Sequence, residues 1–561
     1  MKSRLLVIAF VIAALSPLWF GLGGVPVGAR SDGRYAADSR DLSQRDNWLV
    51  PHGPQGPHLT KPPLTYWAEA WCIRWFGPTA AAVRVPSAMA GSLVVIGTLL
   101  LGWKIAGRRV GLLAAGTLAV MPLHLLVSRL TLTDGLLAAG WFGILAGGYL
   151  CVVESNPGRR SKTRSAPAWN FRGWRWPLLL WVSMAVAWMT KGPVAWIPLA
   201  GIVLWLIVGR RAREIWKLRP ITGLSLSLIP VVTWGVMVLM KVPGAWHVWT
   251  GEVGGRLAGG GKHPQGPWYF FAVLLIGMFP ATCMLDVPFV NHRWRDAWAK
   301  IRRGENVTYW AWAVVGPLII FSIPSGKLAS YITPLCPPLA ILTGLMLERW
   351  LTGENENPPP PEGYKPPEVK GTMLVVTGLC TIGAIIAAII VMGKSNGWVP
   401  VPFVIVPISC AWLMAIWSRR ERRATGLAVV WLAIVFSVLW GEAMASRFVQ
   451  PWGTPAMLTA LEKQTGLSQP MLTSFGHDDN SLSFYTGRFV QRTDSLTDLH
   501  QQLSQHGASL VIVAEEADWK KLTDAEPAAA NEFVQVMTWR LWPKKANLLL
   551  LRPTPTTAVD Q

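Results

Sequence analysis

Residues 81–103, AAVRVPSAMAGSLVVIGTLLLGW, decide the fold class of this chain. Arg84 is the only ionisable side chain among them, and the stretch is long enough to cross roughly 30 Å of hydrocarbon as an α-helix. Comparable stretches recur outward from it in both directions, so we predict an α-helical polytopic membrane protein. About thirteen segments are candidates for membrane helices, near residues 5–27, 81–103, 110–128, 132–153, 176–190, 193–209, 219–241, 268–290, 308–323, 330–348, 371–392, 399–417 and 424–445.

Basic residues concentrate in alternate connections between these segments. The chain has 561 residues, of which 51% are hydrophobic and 15% charged, and its formal net charge is +21. Lysine and arginine cluster around residues 104–109, 159–175, 210–219, 293–303 and 419–423. Cytoplasmic loops of membrane proteins carry such an excess. We therefore predict a multi-pass protein of the inner (plasma) membrane with a cytoplasmic amino terminus, surrounded by membrane lipids and without a nucleic-acid partner.

Residues 446–561 are more polar and follow a different pattern. Strand-like runs occur at Met471–Phe475, Ser483–Tyr485, Ser509–Ala514 and Asn547–Leu551, and a helix-like run lies around Leu496–Gln505. The pattern predicts a small soluble α/β domain on the extracytoplasmic (periplasmic) side, after a membrane domain of residues 1–445. Within the membrane domain, residues 28–80 form the first outer loop, in which tryptophans alternate with charges as in helices that lie at the interface.

Charged and polar residues at the predicted outer ends of the helices are the candidate site residues. Each one alone is compatible with a helix-end charge that reaches for the interface, but their gathering on one side predicts a cationic pocket with a few carboxylates. Lysine and arginine can hold a phosphate and stabilise it as a leaving group, and a carboxylate can serve as general base. The candidates are Asp32, Arg34, Lys61, Asp134, Lys191, Glu252, Arg256, His263, Lys327 and Tyr331.

Several motifs resemble those of a known family. The run SDGRYAADSRDLSQRDNWLVP (31–51), LTKPPLTYW (59–67) and AAVRVPSAMAG (81–91) is similar to the start of the bacterial lipid A aminoarabinose transferases and the protein O-mannosyltransferases. The similarity continues in MTKGPVA (189–195), KHPQGPWYF (262–270) and FSIPSGKLASYITPLCPPLA (321–340). The resemblance implies a GT-C fold with thirteen membrane helices, an extracytoplasmic site, a polyprenyl-phosphate-linked sugar as donor, and transfer with inversion to a glycolipid or protein acceptor.

The resemblance also implies roles for individual residues. The family has an Asp-Glu pair before its RYA motif, and this chain has Ser31 and Asp32 there, so we expect Asp32 to be the catalytic acid. Asp134 matches a second acidic position. Lys61, Lys327 and Tyr331 are expected to bind the donor phosphate, with Arg256 and Lys191 as further candidates, and Arg34, Glu252 and His263 as other pocket residues.

The resemblance also bears on whether this chain binds a metal ion. The aminoarabinose transferases often carry a Glu before KPP and a His in a later outer loop, and this chain has Thr60 and Val253 there. Both ligand types change together, so we expect no zinc at that place, whereas a requirement for a divalent cation stays open. The six cysteines form no CxxC pair, which supports neither a disulfide framework nor a cysteine metal site.

Two other functions fit parts of the sequence. A transporter of lipids or small anions would also have many membrane segments, although no internal repeat of the kind seen in many transporters is visible. A catalytically inactive relative would explain Ser31 at the position of the family's acid.

Overall fold

The computed structural model describes the chain except for residues 1, 29–30, 55, 155–172, 258–263, 280, 285–305, 353–422, 477–478, 528, 541–546 and 555–561. The predicted membrane segments 371–392 and 399–417 and the candidate His263 lie outside the residues that the structure describes. Within the described part, six helices are long and apolar enough to cross a membrane, or seven if a bent pair counts as one span. The number of about thirteen helices stays a prediction.

The chain folds as two compact units. Unit 1 comprises Met1–Phe20, Leu59–Thr65 and Pro86–Gly441, and unit 2 comprises Gly21–His58, Tyr66–Val85 and Glu442–Gln561. Most of the first outer loop lies in unit 2 with carboxyl-terminal residues, and Val27, Ala36, Ile73 and Phe484 share one buried apolar cluster there. The division into a membrane domain of residues 1–445 and a soluble domain of residues 446–561 stays a prediction.

In the described residues up to Val449, the regular elements are helices and one short hairpin. The strands of this hairpin, β1 (His52–Gly53) and β2 (Gly56–Pro57), pair in antiparallel fashion. The helices are α1 (Lys2–Trp19), α2 (Ser31–Gln44), α3 (Leu64–Phe76), α4 (Ala80–Ala106), α5 (Arg108–Ala119), α6 (Pro122–Ser128), α7 (Thr133–Glu154), α8 (Arg175–Lys191), α9 (Trp196–Val208), α10 (Pro220–Lys241), α11 (Ala245–Leu257), α12 (Tyr269–Gly277), α13 (Asn306–Ser322), α14 (Cys336–Thr352) and α15 (Arg423–Val449).

Two breaks shape the membrane helices. Helices α5 and α6 meet at a 66° bend, where Pro122 opens α6 and cannot donate a backbone hydrogen bond to the preceding turn. Helices α8 and α9, predicted as two segments with a loop between them, are separated only by a 3-10 turn, Gly192–Ala195. Gly192 has a φ of 67°, which an L side chain rarely adopts. Lys191 therefore lies at the end of α8, directly before this turn.

The carboxyl-terminal part of unit 2 contains a five-stranded sheet in the order β4-β3-β5-β7-β6. Strand β3 pairs in parallel with β4 and β5, whereas β7 is antiparallel to both β5 and β6. Its elements are α16 (Thr454–Thr465), β3 (Met471–Phe475), α17 (Asn480–Thr486), β4 (Gln491–Thr493), α18 (Leu496–His506), β5 (Leu510–Glu515), α19 (Glu516–Ala525), α20 (Ala529–Glu532), β6 (Phe533–Arg540) and β7 (Asn547–Pro553).

Strand β5 is the centre of this sheet and is covered on both faces. Leu510, Ile512 and Ala514 pack into a cluster with side chains of α18 and α19. The alternate residues Val511 and Val513 pack into a second cluster with side chains of α16 and α17. Successive strand residues point to opposite faces, so an all-apolar strand is stable only with helices on both sides.

The predicted α/β character of this region is correct, with one wrong element. Residues 483–485 were predicted as a strand and form part of α17. Asp479 caps this helix, since its side chain accepts a hydrogen bond from the Ser481 backbone N–H at 3.0 Å. The capping interaction outweighs the strand-like composition of three residues. Strands β4 and β6 were not predicted.

Candidate functional site

Asp32 lies in the first turn of α2 and is bound by an arginine. Nη2 of Arg84 lies 3.0 Å from Oδ2 of Asp32, and the two side chains are 5% and 13% exposed. The same carboxylate oxygen accepts a hydrogen bond from the Gly28 backbone N–H at 3.1 Å. Arg84 also donates to the carbonyl oxygens of Leu22, Val25 and Pro26. Asp32, expected as the catalytic acid, is thus part of the structure that fixes the chain before α2.

Arg34 and Tyr35 of the RYA motif have different environments. Arg34 is exposed, and its guanidinium lies 5.4 Å from the centroid of the Tyr35 ring. Tyr35 is buried and packs against Tyr66 of α3 with ring centroids 5.5 Å apart. This aromatic pair packs the Tyr35 face of α2 against α3.

A histidine and an aspartate that sequence reasoning missed lie beside this aromatic pair. Nδ1 of His58 is 2.7 Å from Oδ2 of Asp38, and their side chains are 12% and 1% exposed. The Tyr66 hydroxyl lies 3.4 Å from the same nitrogen. Burial raises the pKa of the Asp38 carboxyl, and the hydrogen bond and charge of His58 oppose that rise. The sequence signal was Asp38 on the same helical face as Tyr35.

Glu69 of α3 is a second buried acid in unit 2. Its side chain is fully buried, and Oε2 accepts a hydrogen bond from the Ser39 hydroxyl at 2.6 Å. Burial raises the pKa of Glu69 well above its ordinary value, and the nearby negative charges of Asp32 and Asp38 raise it further. The carboxyl is therefore held toward its neutral form. Glu69 is the single acid in the mostly apolar sequence of α3, and this feature could have marked it as a buried acid.

Three of the predicted residues meet in unit 1. Nζ of Lys191, at the end of α8, donates to Oδ1 of Asp134 in the first turn of α7, and the two side chains are 8% and 7% exposed. The same ammonium lies 4.3 Å from the centroid of the Tyr331 ring. A lysine and an aspartate as buried as these are costly to the fold unless they are paired, and here they pair with each other.

The two remaining candidate lysines of unit 1, Lys327 and Lys61, lie in connecting segments. Nζ of Lys327 donates to the carbonyl oxygen of Gln265 at 3.0 Å, and Lys327 is 3% exposed. A backbone bridge between Pro264 and Gly326 ties the same two segments together. Lys61 is partly buried. Two residues before it, the Leu59 carbonyl accepts a hydrogen bond from Trp249 of α11 at 3.0 Å.

Helix α11 carries two more candidates, Glu252 and Arg256, and the family position Val253. Their side chains, like all of His263, are outside the described residues, so their roles stay predictions. Among the residues that are described, no group of three or more His, Cys, Asp or Glu side chains could hold a metal ion. The expectation that Thr60 and Val253 form no zinc site stays a prediction as well.

The described geometry provides two groups of chemically useful side chains. Unit 1 offers a lysine between a carboxylate and an aromatic ring, at the ends of apolar helices. Unit 2 offers a buried Asp-His pair and, beside the RYA motif, the buried Glu69 carboxyl, whose pKa is raised by burial. These groups can bind an anion and accept a proton.

Comparison with known protein sequences identifies relatives. A sequence model of the dolichyl-phosphate-mannose-protein mannosyltransferase family matches residues 49–254. An undecaprenyl phosphate-alpha-4-amino-4-deoxy-L-arabinose arabinosyl transferase of Edwardsiella ictaluri is 27% identical over 356 residues, which are 62% of this chain and 60% of that protein. The protein of the same name from Pseudomonas savastanoi pv. phaseolicola is 28% identical over 358 residues, 61% of this chain and 60% of its own. The similarity thus spans less than two thirds of these relatives.

Comparison with solved structures extends over the whole chain. ArnT from Cupriavidus metallidurans in the apo state superposes with a TM-score of 0.74 at 18% identity and covers 100% of this chain and 99% of its own. The structure of the same protein bound to undecaprenyl phosphate gives a TM-score of 0.72 at 18% identity, with 98% of both chains covered. Such likeness establishes the fold. The sequence matches show that the chain is similar to the GT-C family that includes the aminoarabinose transferases and the protein O-mannosyltransferases.

Proposed function

We propose that this protein is an integral-membrane glycosyltransferase that moves a sugar from a polyprenyl-phosphate donor to an extracytoplasmic glycolipid or protein acceptor, with inversion at the sugar carbon. The observation that carries the proposal is the meeting of Asp134, Lys191 and Tyr331. They come from three segments distant in sequence and lie at the ends of membrane helices. Arabinosyl transferases among the relatives, and a relative bound to undecaprenyl phosphate, support the donor class.

The mechanism assigns the donor phosphate to basic side chains. Lys61, with Lys327, Tyr331 and Arg256, would bind the phosphate and stabilise its charge as the bond to the sugar breaks. Polyprenyl phosphate paired with cations is a good leaving group, so a general acid is not required. Asp134 or Asp32 would orient or deprotonate the acceptor. Each of these carboxylates forms an ion pair, Asp134 with Lys191 and Asp32 with Arg84.

The proposed function includes a location and an orientation in the membrane. The protein would lie in the inner membrane with its amino terminus in the cytoplasm and its carboxyl-terminal α/β region outside. Donor and acceptor would meet on the outer side, where no nucleotide sugar is available. We expect no zinc, and the need for a divalent cation is a matter for assay.

The experiment is mass spectrometry of lipids that co-purify with the wild type, with Lys61→Ala and with Lys463→Ala. Lys463 is an exposed lysine of α16 and serves as the matched control. We expect a glycosylated polyprenyl phosphate in the wild type and the control, and its loss from Lys61→Ala. Bulk phospholipid alone in all three samples would contradict the donor assignment and favour a transporter.

One observation favours a second candidate function. Serine stands at the position of the family's acid, and Asp32 beside it is bound to Arg84. A catalytically inactive relative that binds the lipid would show the same geometry. Binding of the glycosylated donor without transfer to any acceptor would support that candidate, and turnover would exclude it.

A further inference from the structure

A 3-10 helix of seven residues, Ala212–Leu218, connects the membrane helices α9 and α10 within unit 1. Side chains three residues apart in a 3-10 helix lie above one another, and such helices are uncommon at this length. The connection from Arg210 to Arg219 therefore has three faces, each with its own composition.

Two of these faces are used within the protein. Ile215 and Leu218 pack on the buried core of unit 1. On the second face, Glu214 accepts hydrogen bonds from Arg211 at 2.7 and 2.9 Å and from Lys217 at 3.0 Å. The two basic residues of the second face thus share an internal acid.

The third face is exposed and carries three arginines and one tryptophan. Its members follow one another at a spacing of three residues: Arg210, Arg213, Trp216 and Arg219. Trp216 is 66% exposed, although an indole of this size is usually largely buried. We name this row the arginine–tryptophan ridge.

The backbone at both ends of the arginine–tryptophan ridge has an unfavourable conformation. Arg210 and Arg219 have φ angles of 56° and 54°, a left-handed region that residues with a Cβ rarely adopt. Local contacts hold this end of the connection: the Arg219 guanidinium lies 3.9 Å from the centroid of the Trp174 ring. The Leu218 carbonyl oxygen accepts a hydrogen bond from Trp181 of α8 at 2.7 Å. Strained residues that are held in this way concentrate at functional positions.

The arginine–tryptophan ridge lies at a boundary between hydrocarbon and water. The helices on either side of it belong to segments that are long and apolar enough to cross a membrane, Arg175–Val208 and Pro220–Lys241. A folded connection as short as this one stays at the membrane surface. Tryptophan is enriched at that surface, and arginine binds a phosphate through two parallel hydrogen bonds.

A loop that only orients the chain in the membrane would not require this construction. Orientation depends on how many lysines and arginines the loop contains. Neither the spacing of three residues nor an exposed tryptophan in line with the charges adds to that number. The strained backbone at Arg210 and Arg219 does not add to it either.

We propose that the arginine–tryptophan ridge binds anionic lipids, with its three arginines on the headgroup phosphates and Trp216 among the headgroups. The partner is a lipid with net negative charge, such as phosphatidylglycerol, because a zwitterionic lipid also carries an ammonium group that repels arginine. In the proposed orientation of the protein, this lipid belongs to the cytoplasmic leaflet. The inference goes beyond the proposed transferase function and does not depend on it.

The first experiment identifies the lipids beside the ridge and leaves all of its arginines in place. Trp216→p-benzoylphenylalanine, which bonds covalently to a neighbouring lipid on illumination, is reconstituted as the full-length protein in phosphatidylcholine vesicles with a minor share of phosphatidylglycerol. We expect phosphatidylglycerol among the captured lipids at least ~5-fold above its share. The control is Met240→p-benzoylphenylalanine, at the other end of α10 and 80% exposed, which should capture the two lipids in proportion. Proportional capture at position 216, or no capture there, overturns the inference.

The second experiment removes charge from the ridge and measures binding of phosphatidylglycerol to the detergent-solubilised full-length protein by native mass spectrometry. Arg210→Gln combined with Arg213→Gln should raise the dissociation constant ~10-fold or more. Lys241→Gln combined with Lys463→Gln removes the same charge from exposed positions outside the ridge and should keep the wild-type affinity. Equal weakening in both double variants, or none in the arginine variant, contradicts the inference. The capture experiment decides it if the arginine variant fails to fold.

A competition arm separates a lipid from a free anion. Soluble glycerol phosphate has the phosphate of phosphatidylglycerol and no acyl chains, so it should not displace the lipid from the wild type at equal concentration. Displacement by glycerol phosphate at that concentration would identify a free anion as the ligand and overturn the lipid assignment.

Discussion

Arg84 of helix α4 holds Asp32 of helix α2 through a contact of 3.0 Å between Nη2 and Oδ2, across 52 positions of sequence. The arginine also binds three backbone carbonyls that precede α2. One side chain thereby anchors the segment that carries the RYA motif. Asp32, the acid next to the family's catalytic position, consequently has a structural role as the partner of Arg84.

Asp32→Asn is expected to lower the stability of the protein. Removing one partner of a buried ion pair costs about 3–5 kcal/mol, because the other charge stays buried. The control is Asp494→Asn, which removes an exposed pair with Arg492 and should change stability by less than about 1 kcal/mol. The measurement is the apparent melting temperature in detergent. An unchanged melting temperature together with lost transfer would instead make Asp32 the catalytic acid.

Asp134 and Lys191 should behave as a coupled pair. Asp134→Asn or Lys191→Met alone leaves one charge in a site that is less than one tenth exposed, so each should destabilise strongly. The double variant should be more stable than the sum of the single effects indicates, with a coupling of about 0.5–3 kcal/mol. A double-mutant cycle of melting temperatures measures this coupling. Additive losses would show that the two charges do not stabilise each other.

Glu69→Gln should change how stability depends on pH. The pKa of Glu69 is raised in the folded protein, so folding favours the protonated form. Its favourable contribution is present below the ordinary pKa of the unfolded chain and is lost as pH rises toward the folded value. The variant should therefore match the wild type in acid and exceed it at neutral and alkaline pH. Melting temperatures between pH 4 and 9 test this, with exposed Glu462→Gln as control. A constant difference across the range would refute the prediction.

Gly344→Ala tests the packing of α14 on α5. A Cβ at Gly344 would lie 2.9 Å from the backbone nitrogen of Ala114 and the carbonyl oxygen of Val110. Backbone atoms cannot move aside cheaply, so we expect a loss of about 1–3 kcal/mol. Gly235→Ala in α10 is the control, because nothing lies within 4 Å of its added Cβ; it should be neutral or stabilising by up to about 1 kcal/mol. Equal melting temperatures for both variants would contradict the close approach.

Local sequence patterns predicted the helical membrane class and much of the carboxyl-terminal sheet. Apolar runs report membrane helices because hydrocarbon offers no hydrogen bonds to an open backbone. Strands β3, β5 and β7 were readable because their apolar residues follow one another without helical spacing. The prediction of a strand at residues 483–485 was wrong. Asp479 caps a helix that includes these residues, and three residues are too few to show a strand or helix periodicity.

The candidate site divides in the same way. The sequence by itself determined that Asp134, Lys191 and Tyr331 lie at helix ends on one predicted side, since helix length and loop charge fix those positions. Only the tertiary structure decided that they meet, that Arg84 binds Asp32, and that Asp38 and His58 form a pair. Ion pairs and hydrogen bonds depend on distances of about 3 Å between atoms. Such distances are set by how helices pack, which no periodicity along the chain records.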